Sequence, residues 1–164
     1  MTLERTLVFI KPDGVERGLV GEILTRFERV GLTIVGMKMV WVDQDHTKKH
    51  YQAHVDKPFY LPIEEFITSG PVVAFVLEGH AAVALVRKMV GGTEPHSAAP
   101  GTIRGDYAHM NYAFADSDEG KSLGLRNVIH ASGEKDEADK EIELWFTPEE
   151  LHSYQLVHHK HMRG

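Results

Sequence analysis

The chain has 164 residues, 42% of them hydrophobic and 26% charged, the make-up of one globular domain with an apolar core and not of a disordered or membrane-embedded chain. Eighteen Lys and Arg stand against 24 Asp and Glu, a formal charge of 18 − 24 = −6 with histidine neutral. That balance excludes nucleic-acid binding by bulk charge and leaves room only for a local basic site for a small anion. Cysteine is absent, so disulfides, thiolate metal sites and thiol nucleophiles are excluded as well.

In chain order, Thr6 to Ile10 is a short strand-like run ended by the turn signal Lys11-Pro12-Asp13-Gly14. Val20, Ile23, Leu24, Phe27 and Val30 recur at helical spacing, with Gly31 as the cap. A second strand falls within Leu32 to Val42, and a helix runs from Asp45 to about His54. Pro58 and Pro62 interrupt, and a short helical piece covers Ile63 to Ile67. Val72 to Leu77 is a continuous apolar run of strand length, the mark of a buried central strand. Ala81 to Met89 is helical. Gly91 to Gly105 holds four glycines and two prolines and is read as irregular. Tyr107 to Leu125 is undetermined, Val128 to His130 is a last short strand, and Glu134 to Leu144 is a polar helix capped by Ser132. Thr147-Pro148-Glu149-Glu150 combines a capping box with a first-turn proline, a helix start. The order predicts an α+β fold with a ferredoxin-like βαββαβ core, an antiparallel sheet with helices packed on it and inserted helices. The pattern alone leaves a doubly wound sheet open.

Three segments combine reactive side chains with chain-breaking residues: Lys11 to Gly14, the loop with Thr93, Arg104 and Asp106, and Asn127 to Ser132. Lys11, Arg87 and Arg104 are separate cationic donors suited to a polyphosphate, lysine as a mobile point charge and arginine through its fork of N–H groups. Gly91-Gly92-Thr93 lacks the glycine and lysine offsets of a P-loop, so a phosphate site here must be assembled from side chains. Of eleven histidines, His130 is the candidate nucleophile. A neutral imidazole offers one lone pair only when its other nitrogen carries the proton, so it needs an acceptor to fix the tautomer, and Glu141 on the following helix is the candidate. On spacing alone, a lone histidine is more often packed or solvated, and lysines and arginines are by default solvated charges.

In these same segments the sequence resembles the nucleoside diphosphate kinase family over nearly its whole length. The resemblance is carried by Glu4-Arg5-Thr6, Ile10-Lys11-Pro12-Asp13-Gly14-Val15 with Arg17-Gly18-Leu19, His50-Tyr51, Lys57-Pro58-Phe59 and Ser69-Gly70-Pro71-Val72. It continues with Pro100-Gly101-Thr102-Ile103-Arg104-Gly105-Asp106, Asn127-Val128-Ile129-His130-Ala131-Ser132, and Glu141-Ile142 ahead of Trp145-Phe146. Each piece is a modest motif; in this order together they are specific. The resemblance implies ping-pong transfer of a terminal phosphate from a nucleoside triphosphate, mainly ATP, to a diphosphate through a phosphohistidine at His130. Glu141 then orients the ring, Ser132 supports that pair and Lys11 completes the catalytic set. Lys11, Tyr51, Arg87, Thr93 and Arg104 surround the phosphates, Lys11 and Asn127 reach the ribose hydroxyls, and Phe59 with Ile63 holds the base. Mg2+ arrives on the nucleotide phosphates, with no protein side chain as its ligand. Stacking on Phe59 without base-edge hydrogen bonds predicts broad base specificity. Because His130 must be neutral to act, activity is expected to fall as pH drops through its pKa.

Two departures stand out. Ala131 and Gly133 flank Ser132 where the family commonly has Gly and Asp, which is expected to tune the local turn. The stretch between Asp106 and Asn127 is longer than in common members, as in archaeal-like long forms, so 107–126 is expected to be a surface insertion within a single domain spanning 1–164. His152, His158, His159 and His161 fall in or beside a C-terminal tail at 153–164 and are expected to be solvated. Family likeness implies a homo-hexamer or a tetramer, with the loop containing Pro95 and the tail among its contacts. No membrane partner is expected, since the longest apolar stretch is Pro71 to Leu77 and the first residues carry no basic or apolar leader; the cytoplasm is the expected location. Two competing readings are a nucleotide-binding regulator of the same fold without turnover, which would be free to lose the site residues, and a histidine-dependent phosphohydrolase, which would release phosphate without a diphosphate acceptor.

Overall fold

A computed structural model describes residues 3–162. Its sheet has the strand order β2-β3-β1-β4, with β1 at Leu3–Ile10, β2 at Thr33–Val40, β3 at Val72–His80 and β4 at Ile129–Ala131. Every pairing is antiparallel: β1 with β3, β1 with β4, and β2 with β3. Helices α2 (Val20–Arg29) and α5 (Ala82–Val90) lie between successive strands, giving the ferredoxin-like βαββαβ core and ruling out the doubly wound alternative.

Both sheet faces are covered, which explains the unbroken apolar run of β3. Val73, Phe75 and Leu77 pack with Val8 and Ile10 against Ile23 and Phe27 of α2 and Val86 of α5. Val72, Ala74 and Val76 pack with Leu7 and Phe9 against Phe66 and Ile67 of α4 (Tyr60–Thr68) and Ile142 and Trp145 of α8 (Lys135–Trp145). Strand periodicity puts alternate side chains on opposite faces, so a strand buried on both sides has no polar alternation to show.

Several expectations are corrected. Lys11 to Gly14 is more than a turn, because Pro12 opens a short helix α1 (Pro12–Glu16) from its first-turn position. The region 45–54 is α3 (Gln44–His50), capped by Asp43, followed by a 3-10 turn at Gln52–His54. Pro62 does not interrupt: it lies in the first turn of α4, where a backbone N–H has no intrahelical partner to lose. The loop after α5 is irregular only in part, holding a 3-10 turn at Pro95–Ser97 and then α6 (Ile103–Tyr107), capped by Thr102. Residues 107–126 include one short helix, α7 (Tyr112–Ala115), with Asn111 accepting from Phe114 N–H. Ser132 does not cap α8; Glu134 occupies that position without a side-chain bond. The box at Thr147 and Glu150 forms as read, yet it starts only a 3-10 turn, Pro148–Glu150. The last helix is α9 (His159–Met162), so the two terminal residues of the expected tail, and residues 1 and 2 of the expected domain, lie outside the described residues.

Candidate active site

Strand β4 carries His130, the candidate nucleophile. His130 pairs with Phe9 across the β1–β4 ladder, and the two rings stack with centroids 4.7 Å apart. Its Nε2 lies 3.0 and 3.2 Å from the two oxygens of Glu141. Glu141 comes from the inner face of α8, and its Oε2 accepts the Ser132 hydroxyl at 2.5 Å. Nε2 facing a carboxylate acceptor makes it the protonated nitrogen and gives Nδ1 the lone pair. Burial first, then the positive charge of Lys11, pushes His130 down to about 3, so the ring is neutral at physiological pH. Glu141 is raised by burial and pulled back by His50 and by the Ser132 hydrogen bond.

A second cluster adjoins this one. The buried Lys11 donates to Asn127 Oδ1 at 2.7 Å, and Asn127 Nδ2 donates to the Thr93 carbonyl at 2.9 Å. Burial, with Arg104 next, lowers Lys11 to about 7. Arg87 is exposed and reaches the Ala131 carbonyl at 3.4 Å. The Tyr51 ring stands edge-on to His130, centroids 6.3 Å apart, and burial raises its hydroxyl pKa. Arg104 is 4% exposed and mostly spent on the main chain, donating to the carbonyls of Asn127, Gly91, Gly92 and Ile129 at 2.7 to 3.3 Å. Four of its five N–H groups are thereby used. Its lowered pKa, about 10, follows from burial and from Arg87.

Seven of the expected residues, His130, Glu141, Ser132, Lys11, Asn127, Arg104 and Tyr51, thus converge. Thr93 joins them through its carbonyl, and its own side chain is exposed. Phe59, 49% exposed, precedes α4 beside His54 and Lys57, and Ile63 packs partly buried on the core. The far end of α4 turns Phe66 toward Lys11.

Sequence reasoning missed three neighbours. His50 at the end of α3 has a side chain only 1% exposed, with Nε2 3.4 Å from Glu141 Oε1. Trp145 Nε1 donates to His50 Nδ1 at 3.1 Å. Arg126 lies over the Phe66 ring at 3.7 Å. The only sequence signal for His50 was its place beside Tyr51. Asp13 is placed as well, accepting from Val128 N–H at 3.1 Å; Val128 itself has φ 71°, a costly conformation for a β-branched residue.

Among the described residues, one group could converge on a cation: His50, His130 and Glu141, with ligand atoms within 4.8 Å of one another. The group does not fit a protein-held Mg2+, which wants oxygen ligands in near-octahedral geometry. The Trp145 bond also keeps the His50 proton on Nε2, leaving that nitrogen no lone pair to offer.

The family profile described as "Nucleoside diphosphate kinase" matches residues 4–151. A nucleoside diphosphate kinase of Pyrococcus furiosus is 53% identical over 154 residues, 93% of this chain and 88% of that protein. One from Thermus thermophilus is 53% identical over 149 residues, 91% of this chain and 99% of that protein. Among solved structures, a transition state mimic of the Borrelia burgdorferi enzyme with bound vanadate and ADP superposes with a TM-score of 0.92 at 39% identity, covering 98% of this chain and 97% of that one. A halophilic enzyme from Halobacterium salinarum in complex with CDP gives 0.86 at 43% identity, covering 97% of each chain. These likenesses favour an enzyme over the regulator without turnover. With kinase relatives of similar length on both counts, the chain belongs to the nucleoside diphosphate kinase family and is a phosphotransferase that acts on nucleotides.

Proposed function

We propose that the terminal phosphate passes through His130 Nδ1, in two half-reactions at one site. The observation that carries this is the Glu141 carboxylate 3.0 Å from His130 Nε2, because it fixes the proton on that nitrogen and offers Nδ1 to phosphorus. In the first half-reaction Nδ1 bonds to the terminal phosphorus, and the bond to the bridging oxygen breaks, its electron pair leaving with the nucleoside diphosphate. The second half-reaction runs this backwards onto another diphosphate. Phosphoryl transfer is chiefly positioning and charge stabilisation. Lys11, Arg87, the remaining N–H of Arg104 and the Tyr51 hydroxyl supply that stabilisation around the phosphates. Thr93 completes their ring, and Lys11 with Asn127 meets the ribose.

Phe59 and Ile63 receive the base. An exposed ring that stacks without reading base edges supports broad base specificity, and relatives of this chain are solved with ADP and with CDP. The family works with a divalent cation, here proposed to be Mg2+ carried on the nucleotide phosphates as part of the substrate. The remaining readings are one domain over 1–164 with a surface insertion at 107–126, a cytoplasmic location and a homo-hexamer or tetramer. No described helix is long and apolar enough to cross a membrane.

Incubation with terminally labelled ATP tests the nucleophile. Native protein is expected to take up label that is acid-labile and base-stable, and His130→Ala to take up none; equal labelling of His130→Ala refutes the assignment. Steady phosphate release without a diphosphate acceptor would instead favour the hydrolase reading.

A further inference from the structure

His50 and Trp145 take no part in the proposed transfer, yet His50 lies against both His130 and Glu141, and Trp145 bonds to His50. An indole N–H can only donate, so the 3.1 Å bond from Trp145 Nε1 to His50 Nδ1 demands a lone pair there and puts the ring's proton on Nε2. That Nε2 is buried without a hydrogen-bond partner and lies 3.4 Å from Glu141 Oε1, the oxygen that also receives His130 at 3.0 Å. The His50 ring stands edge-on to His130, centroids 4.5 Å apart. Such a loose contact can shorten as charge develops, since catalytic hydrogen bonds are often slack before substrate is bound.

We propose that His50 is a positioning residue for phosphoryl transfer: held by Trp145 as the neutral Nε2–H tautomer, it braces Glu141 Oε1 so that the carboxylate stays aimed at His130 Nε2. The proposal rests on His130 being the nucleophile. As Nδ1 takes the phosphoryl group, positive charge grows on the His130 ring, its Nε2 proton stays between that nitrogen and Glu141, and no proton passes to His50. Neutrality is what makes the brace useful. A second imidazolium beside Glu141 would offset the negative charge that the His130 ring needs.

The groups facing His50 enforce this state. Glu141 and Trp145 come from α8, His130 from β4, Lys11 from the residue after β1, Phe9 from β1, and His46 and Tyr51 from its own segment. Burial, then His130, His46 and Lys11, hold His50 well below its ordinary range, and Glu141 alone opposes them.

The test uses the full chain. First, 15N spectra of the wild-type imidazoles are expected to show His50 protonated on Nε2 and bare on Nδ1, a measurement that needs no variant to fold. Second, rapid-quench phosphorylation by ATP is followed in His50→Leu, His50→Gln and Trp145→Phe. His50→Leu is expected to slow phosphoenzyme formation about 10- to 100-fold, as loss of an outer orienting partner does, with nucleotide affinity changed by no more than about two-fold. His50→Gln, whose amide offers an N–H in the same direction, restores most of the rate. Trp145→Phe frees Nδ1 to take a proton and moves the acid limb of the rate profile to higher pH. Wild-type speed in His50→Leu, equal slowness in His50→Gln and His50→Leu, or an unprotonated Nε2 in the wild-type spectrum overturns the proposal. If His130→Ala stays unlabelled while His50→Leu is fast, this proposal alone fails; if His130→Ala is labelled, the nucleophile assignment fails first and takes the brace with it.

Discussion

Lys11 is a buried cation whose proton is loosely held. With its pKa lowered from 10.5 to about 7 by burial and by Arg104, the free protein at pH 8 carries Lys11 largely neutral, whereas a polyphosphate beside it favours the charged form. Nucleotide binding is therefore expected to take up a proton above about pH 7 and to weaken as pH rises further. Calorimetry in two buffers of different ionisation enthalpy checks this: an uptake that vanishes in Lys11→Met is the expected result, and buffer-independent heats count against it. Glu141→Gln keeps the shape of the site but removes the charge facing His130, and is expected to lower turnover by about 100-fold or more. Arg104 behaves differently from the other cations, because its guanidinium ties together Gly91, Gly92, Asn127 and Ile129. Arg104→Lys cannot reach four carbonyls in one plane. It is expected to cost about 2 kcal/mol of stability or more as well as activity, visible as a lower denaturation midpoint.

At the level of elements, the short helix α6 is what aims Arg104, and it sits against the preceding loop with no room to spare. A Cβ at Gly105 would lie 2.2 Å from the Ala99 carbonyl oxygen, while one at Gly21 in α2 meets nothing within 4 Å. Gly105→Ala is expected to destabilise by about 1 to 3 kcal/mol and to weaken nucleotide binding. Gly21→Ala is expected to stabilise by about 0.5 to 1 kcal/mol with activity unchanged. Paired urea melts and binding titrations distinguish them. These two helices also show what the sequence could and could not disclose. α2 was legible because its apolar spacing and its Gly31 cap are local signals, and β3 because burial on both faces leaves a plain apolar run. α6 was hidden inside a glycine- and proline-rich loop, since Thr102 accepting from Gly105 N–H starts it without any apolar stripe. Similarly, Ser132 looked like a cap for α8 by position, but its hydroxyl had a buried carboxylate to satisfy. The His130–Glu141 pair was readable as a spacing and a family pattern. His50 was not, because its contacts with Glu141, Trp145 and Phe9 exist only once α3 packs beside α8.

At the scale of the whole molecule, three buried or half-buried histidines, His130, His50 and His46, all have pKa values below the ordinary 6.5. The folded chain then binds fewer protons at these positions than the unfolded one. Their contribution to stability is full above about pH 6.5 and is lost as pH falls toward the folded value, about 3 for His130. The thermal midpoint is expected to drop between about pH 7 and pH 4, less steeply in His130→Gln; a midpoint that stays constant or rises on acidification contradicts this.

Lys11 and Asn127 are 116 positions apart, and β1 lies between β3 and β4. During synthesis β1 emerges well before its partner on one side, Ile129–Ala131. Until then, the edge of Val8 to Ile10 that β4 will cover has no strand to pair with, and an unpaired apolar edge invites other chains. Because β4 and α8 follow the rest of the sheet in the chain, no nascent fragment that lacks them can set His130 against Glu141, and the proposed phosphohistidine could form only after α8 has been made.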